Sequence, residues 1–581
     1  MIRGFDAGKA PGRGQAGLTN GEAEGTFRKA ITRFMAARMA WSRVSIRPRV
    51  IAIRAANRGV GLSRRVHMKH RARRGHRPLR LLLGLPLALV TAAPPSVAAP
   101  GSNIVVIVAD DLSERMLDDL LAADLMPHFR SLFVNAGIRF TNSFVTTPLC
   151  CPSRATLLTG QYAHNHGVRS NDLPKGGVTL LNDASTLATW LANAGYHTGL
   201  VGKYLNGYGK DASHTVATDD PTYVPAGWTD WQALLDPSLT RVYNYEMNDN
   251  GVVRRFGAQP EDYQTDVLAQ RAVDFLTELP GPPPRIDVPF LLWVSPPAPH
   301  SESIPEPCAL PDQEIGIIRP APRHLGVAAA ISLPRPPSFN EVDLTDKSTW
   351  LQAAFPTRYD QAAVDCLEQS YRSRLESMVA VDDLIGAVTD TLLARNALDD
   401  TVLIFTSDNG FAFGEHRFTG KVVPYEESAR VPLFIRLPQM TSSSSTAALV
   451  LNTDLAPTIA ELAGVTPGLV VDGRSLVPFL LGTPPPVWRD LFLLEGLQTA
   501  QKGPIVPAYS ALRSGPHAPS PNRLMMSWAD GSGEYYDLDL DPDELGNTIG
   551  QVPPSSVRWA RTRGLELKAC AGQTCRNLET F

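Results

Sequence analysis

A chain of 581 residues, 43% hydrophobic and 19% charged, has the composition of a globular protein larger than one ordinary domain. Its formal net charge of −3 is unevenly spread, with arginine concentrated in the first hundred residues. That basic stretch carries no sustained apolar period, which argues against a nucleic-acid partner, and no later segment is long and apolar enough for stable membrane insertion.

From Met1 to Arg77 the order of Gly, Arg and Ala is irregular. "HRPLRLLLGLPLALVTAAPPSVAAP" then gives a basic lead, an apolar run from Leu81 to Val90 and small residues at Ser96-Val97-Ala98, the three regions of a secretory signal. The expected organisation is a disordered or untranslated leader over 1–67 and a signal peptide over 68–98 starting at Met68. A catalytic domain over 99–485 and a smaller C-terminal subdomain over 486–581 complete it. The location expected is extracytoplasmic, by the general secretory route, because Arg73-Arg74 lacks a fuller twin-arginine context. In an oxidising compartment the even cysteine set suggests bridges, with Cys570–Cys575 in "CAGQTC" and Cys308–Cys366 around a proline-rich stretch as the pairings expected.

"NIVVIVADD" predicts a buried strand ending at Asp110 and Asp111. The "TTPLCCPSRATLLTG" segment places Pro152 in the first turn of a helix, with Cys150 at its entrance and Arg154 one turn on. A helix N-terminus beside an arginine makes an anion site, and a thiolate there is expected to be acidic and reactive. An inert buried cysteine pair is the alternative. "TLATWLANAGYHTGLVGKYLNGYG" reads as a helix, a turn at Gly195 and a strand ending near Lys203, and "PFLLWVSPPAPH" as a strand closing at His300.

The prolines between His300 and Trp350 predict a long surface insertion, and a long helix is expected to begin near Cys366, with Met378, Val381, Ile385, Val388 and Leu392 on one face. "DDTVLIFTSDNG" gives a strand ending at Asp408-Asn409, "VPLFIRLP" another, and "TSSSST" a loop from Thr441. After Pro484–Pro486 short strands such as "EYYDLDLDPDEL" follow. Strands alternating with helices imply an α/β layered fold with a mainly parallel central sheet.

Ligands gather at the carboxyl ends of such strands. Three carboxylates and an amide there are hard oxygen donors, suited to Ca²⁺ or Mg²⁺ rather than zinc. Lys203, His300 and Lys421, the last in "FTGKVVPYEESARVP", add groups that a dianionic ester needs.

"CCPSRATLLTG" resembles the Cys-x-Pro-Ser-Arg signature of the type I sulfatases. The likeness continues through "VADD", "TGQYAHNHGV", "GKYLNGYG", "PAPH", "SDNG", "GEHRFTGK" and "YDLDLDPDEL", and is nearest to the glucosamine-6-sulfatase, extracellular endosulfatase and bacterial arylsulfatase branch. The resemblance implies an alkaline-phosphatase-like sandwich. It implies a sulfuric ester hydrolase whose Cys150 is oxidised to formylglycine by a generating enzyme, with Cys151 left as a buried thiol. Asp110, Asp111, Asp408, Asn409 and the modified Cys150 would hold Ca²⁺, in preference to Mg²⁺. Arg154 would hold the hydrated aldehyde, while Lys203, His300 and Lys421 would bind sulfate and assist the leaving group. Many arylsulfatases have a histidine two residues after the lysine; here Leu205 stands there, with Asn206 as a substitute. His164 and His166 read equally as structural or substrate-contacting. The expected partner is a sulfated saccharide or aryl sulfate. A phosphodiesterase or phosphonate hydrolase of the same superfamily and a non-catalytic binder of sulfated glycans are the alternatives.

Overall fold

The computed structural model describes residues 101–209, 220–302, 308–310, 314–500 and 505–581. The expected leader and signal peptide lie outside the described residues, as does the side chain of Cys308. Among the described residues no helix is long and apolar enough to cross a membrane.

The centre is a ten-stranded sheet, in which the strands, named in chain order, are β1 (Asn103–Ala109), β2 (Ile138–Phe144), β3 (His197–Gly202), β4 (Asp230–Leu234), β5 (Glu246–Asp249), β6 (Val252–Arg255), β7 (Phe290–Ser295), β8 (Thr401–Ser407), β9 (Leu433–Arg436) and β10 (Ser444–Leu451). Their order is β10-β2-β9-β8-β1-β7-β3-β4-β5-β6. From β8 to β4 every neighbour is parallel; β9 and the β5–β6 edge run antiparallel.

Strand β1 shows why the sheet is buried on both faces. Val105, Ile107 and Ala109 enter one apolar core, and Ile104, Val106 and Val108 enter the other. Both sets are needed because helices cover both faces. The first core holds Leu268, Ala272 and Phe275 of Gln264–Glu278, and Met378, Val381, Leu384 and Ile385 of Gln361–Ala394. The second holds residues of Cys150–Thr159, Leu187–Asn193 and Leu455–Ala463. Burying one such side chain stabilises by roughly 1.5–3 kcal/mol.

A four-stranded antiparallel sheet follows: β11 (Leu491–Gly496), β12 (Tyr509–Ser514), β13 (Arg523–Trp528) and β14 (Gly533–Asp537). Its apolar core includes Leu149 and Val422, the chain neighbours of Cys150 and Lys421. The disulfide Cys570–Cys575 is formed, Cys366 is disulfide-bonded, and Cys150 and Cys151 are free.

Four expectations need correction. The long helix starts at Gln361, because the Asp360 side chain caps it by accepting from the Ala363 N–H at 2.9 Å. "TSSSST" is a loop only up to residue 443; Ser444, Ser445 and Thr446 pair with Ile138, Arg139 and Phe140 of β2, so ladder hydrogen bonds override a polar composition. Strand β7 ends at Ser295, and the proline turn after it carries His300. The stretch before Trp350 is not only surface: Leu333, Ser338, Asn340, Glu341, Leu344 and Lys347 are buried. Its buried charges are partnered inside, where the Lys347 ammonium meets Glu341 at 3.0 Å.

Candidate active site

Parallel pairing of β1 with β8 runs in register to Ala109 opposite Ser407, so Asp110-Asp111 and Asp408-Asn409 leave the sheet side by side. All four are buried. Asp111 takes a left-handed φ of +69°, unusual without glycine, and its N–H donates to Asp408 Oδ1 at 3.3 Å. The Asn409 amide donates to Asp111 Oδ1 at 2.7 Å, while its own buried Oδ1 has no partner.

Helix Cys150–Thr159 is buried on every side, with Cys150 as its first residue. The helix delivers two groups to the carboxylates. The Cys150 sulfur lies 3.5 Å from Asp110 Oδ1, and Arg154 Nε donates to Asp408 Oδ2 at 2.7 Å. Arg154 Nη1 also reaches Ser295 Oγ at 2.5 Å and the Lys203 carbonyl at 3.1 Å. Lys203, just past β3, places its Nζ 2.5 Å from Asp110 Oδ2. Lys421 Nζ contacts Asp111 Oδ1 and lies 2.7 Å from the Cys150 sulfur. Its loop is pinned where Val422 N–H donates to the Pro148 carbonyl at 2.9 Å. His300 sits over the group, with Nε2 3.7 Å from Asp111 Oδ2 and Nδ1 2.7 Å from the Ser301 carbonyl. A carbonyl only accepts, so Nδ1 carries the hydrogen.

The nine residues named from sequence thus converge on one buried cluster. Burial raises the Asp110 pKa, but Lys203, His300, Arg154 and Lys421 together hold it well below the usual range. Burial and the neighbouring Asp110 push Asp408 up to about 6, against the pull of Arg154. Burial pushes His300 down to about 4, despite Asp111 and Asp110. Lys421 is raised, because Asp111 and Cys150 outweigh its burial.

The reactive thiolate expected at Cys150 is not what the structure holds. Burial, with Asp110 beside it, pushes the thiol up to about 12, so burial and the negative carboxylates together outweigh the helix terminus and the lysines. Cys151 is likewise pushed up to about 12 by burial, and its N–H donates to Asn171 Oδ1 at 2.9 Å. His164 and His166 each have partners inside the fold: His164 Nδ1 meets Glu495 at 2.8 Å, and His166 Nε2 meets Thr156 at 3.0 Å. Asn206 Oδ1 is buried without a partner.

Two residues here, Arg374 and Ser295, escaped the sequence reading. Arg374, fully buried in the long helix, lies 3.7 Å from Asp111 Oδ2 and stacks 4.0 Å from the Phe411 ring centre. The available signal was its place four residues before Met378 on the apolar stripe, where a charge is out of place.

The donor set fits a hard divalent cation: three carboxylates and an amide whose oxygen lacks a partner all leave adjacent strand ends. The ligand atoms of Asp110, Asp111, Cys150 and His300 lie within 4.8 Å of one another.

This mainly parallel sheet, with its polar cluster at the strand ends and a small antiparallel sheet after it, is of the alkaline-phosphatase-like hydrolase class. The chain belongs to the sulfatase family: the family model "Sulfatase" matches residues 102–465, and "N-sulphoglucosamine sulphohydrolase, C-terminal" matches 414–566. It is 33% identical over 409 residues to a Caenorhabditis elegans protein named as a putative extracellular sulfatase Sulf-1 homolog, covering 68% of this chain and 52%, about half, of that relative. It is 30% identical over 522 residues to the N-acetylglucosamine-6-sulfatase of Capra hircus, covering 83% of this chain and 87% of the goat protein. A solved structure described as in complex with its substrate D-glucosamine-2-N,6-O-disulfate superposes with a TM-score of 0.62, at 23% identity, covering 81% of this chain and 97% of that one, which shows a shared fold.

Proposed function

We propose that the protein is an exported sulfatase that hydrolyses a sugar sulfate ester, with N-acetylglucosamine 6-sulfate the first candidate and aryl sulfates a second. In this reading Cys150 is converted to formylglycine, and Asp110, Asp111, Asp408 and Asn409 hold Ca²⁺. The observation that carries it is the state of Cys150. A thiol with a pKa pushed to about 12, 1% exposed and ringed by carboxylates, is a poor nucleophile as it stands. It nonetheless sits 2.7 Å from Lys421 at the centre of the cluster. The ion would supply positive charge for the sulfuryl oxygens, and the modified side chain a hydroxyl nucleophile.

The chain's own residues do the rest. Arg154, fixed by Asp408 and Ser295, orients the residue at position 150. Lys203 and Lys421 keep their protons and set positive charge against the ester, a preorganised field that needs no rearrangement during reaction. His300 is neutral near pH 7 in this environment, and its Nε2 faces the cluster, placed to hold a proton once the ester's charge is added. Asn206, one position past Leu205, has a buried Oδ1 without a hydrogen-bond partner and is the candidate substitute for the histidine of arylsulfatases.

Mass spectrometry of the peptide containing Pro152 should show an aldehyde in place of the Cys150 thiol and an intact Cys151. Export of a chain begun at Met68 and a panel of sulfated sugars, aryl sulfates and phosphate diesters complete the test. An unmodified Cys150 in fully active protein, or faster turnover of the phosphate esters, would sink the reading.

A further inference from the structure

Away from Cys150 a second set of ligand-type side chains converges in the interior. His416, in "GEHRFTGK", is 1% exposed and takes a left-handed φ of +54°. Its Nδ1 meets Glu341 Oε2 at 2.7 Å, and Lys347 holds the other Glu341 oxygen at 3.0 Å. On the far side of the ring, the buried Nε2 has no hydrogen-bond partner. The nearest carboxylate oxygen, Glu544 Oε2, stands 3.9 Å away, beyond bonding reach. Glu427 Oε2 and Glu544 Oε1 are also buried and unpartnered. The ligand atoms of His416, Glu427 and Glu544 lie within 4.8 Å of one another.

We propose that His416, Glu427 and Glu544 form a second divalent-metal site, separate from the Asp110–Asn409 cluster and suited to a transition ion such as Zn²⁺. One imidazole nitrogen with two carboxylates is a ligand set that zinc accepts, whereas Ca²⁺ prefers oxygen alone. Glu341 stands where an orienting carboxylate belongs. By accepting from Nδ1–H it fixes the ring and leaves the Nε2 lone pair facing Glu427 and Glu544. A single ion at the meeting point answers three orphaned buried atoms together, each costly to leave unpaired.

The surrounding charge agrees. Glu341, Glu415, Glu427 and Glu544 crowd the ring, with Lys347 on Glu341 as the permanent cation in contact. Burial pushes Glu544 up to about 7, and against the effect of burial the bond to Glu341 and the nearby charges of Glu544 and Glu427 carry His416 up to about 10. Ion-free, the cluster gathers protons; a divalent ion replaces them. The ligands come from the loop bearing Lys421, the Glu426–Ala429 turn and the segment after β14, so the ion would brace the Lys421 loop against the C-terminal sheet.

The test uses the full chain, stripped with chelator, saturated with Ca²⁺ and then given a small excess of Zn²⁺. After gel filtration, metal content is measured by mass spectrometry. One zinc per chain should be retained by the natural protein and by Asp111→Ala, and lost from His416→Gln and Glu544→Gln. Glu427→Gln, at a half-buried position, serves if those variants do not fold. Zinc absent from the natural protein, or retained equally by the cluster variants, overturns the proposal and leaves a shared proton or a buried water to hold the three atoms. The outcome is independent of what happens at Cys150.

Discussion

Two buried ionic clusters in this protein are built on opposite lines. Around Arg489, at 3% exposure, every carboxylate oxygen is answered. Asp454 receives Arg489 through both oxygens at 2.7 and 2.8 Å and the N–H groups of Leu451 and Arg474, each at 2.8 Å. Glu579 receives Tyr162 at 2.7 Å and Arg489 at 2.9 Å. Around Asp110 the accounts do not close. Asn409 Oδ1, Arg154 Nη2 and two nitrogens of Arg374 lack hydrogen-bond partners, and burial with the nearby Asp110 raises Asp408. A satisfied network ties the chain's last residues to the core; an incomplete one is what a binding and reacting site requires.

That contrast is sharpest under mutation. Cys150→Ala is expected to abolish turnover, and Asp111→Ala to lose Ca²⁺ binding and turnover together, with the fold kept in both; calorimetry beside a sulfatase assay checks this. A chelated protein retaining full activity would break the comparison at its first term. His300→Ala should cost sugar sulfates about 10²–10⁴-fold and activated aryl sulfates much less, because an alkoxide needs a proton to leave. Equal losses would move the proton to Lys421. Arg489→Met should leave turnover per folded molecule unchanged while costing about 3–5 kcal/mol in urea unfolding, since it strands Asp454 and Glu579 in the interior.

Most of the candidate cluster was legible because those members lie at strand ends or in one short helix, where local pattern and position in the fold coincide. Asp110, Asp408 and Lys203 each follow an apolar run, and the in-register pairing of β1 with β8 does the remainder. Arg374 was not legible in the same way. It serves the site from mid-helix, through a tertiary contact that no neighbouring residue announces. The same holds for Ser295, which accepts from Arg154 and looks in sequence like an ordinary strand end. Nor did local pattern separate His300, reached by a proline turn, from the end of β7. The Glu341–His416 contact joins residues 75 apart, and it became visible only with the insertion's buried half in place.

The smallest effect belongs to a contact between the two extremes. His164 Nδ1 meets Glu495 at 2.8 Å and its Nε2 meets the Cys570 carbonyl at 3.2 Å. Both ring nitrogens face acceptors, an arrangement only the imidazolium satisfies. Against its burial, the bond to Glu495 therefore raises His164, and against its own burial the bond to His164 lowers Glu495; Asp472 adds to the rise of His164, and the neighbouring His166 is pushed by burial down to about 3. A raised histidine stabilises fully below its unfolded value of about 6.5 and loses that contribution as pH climbs through the folded one. A lowered glutamate stabilises above its unfolded value and loses it as pH falls through the folded one. The contact is thus strongest in mildly acidic solution, at about 1.5–3 kcal/mol for bonds to charged groups. Melting temperatures of the natural protein and His164→Gln should differ most near pH 6 and converge as pH rises toward 9. A difference that stays constant across that range would show a neutral His164.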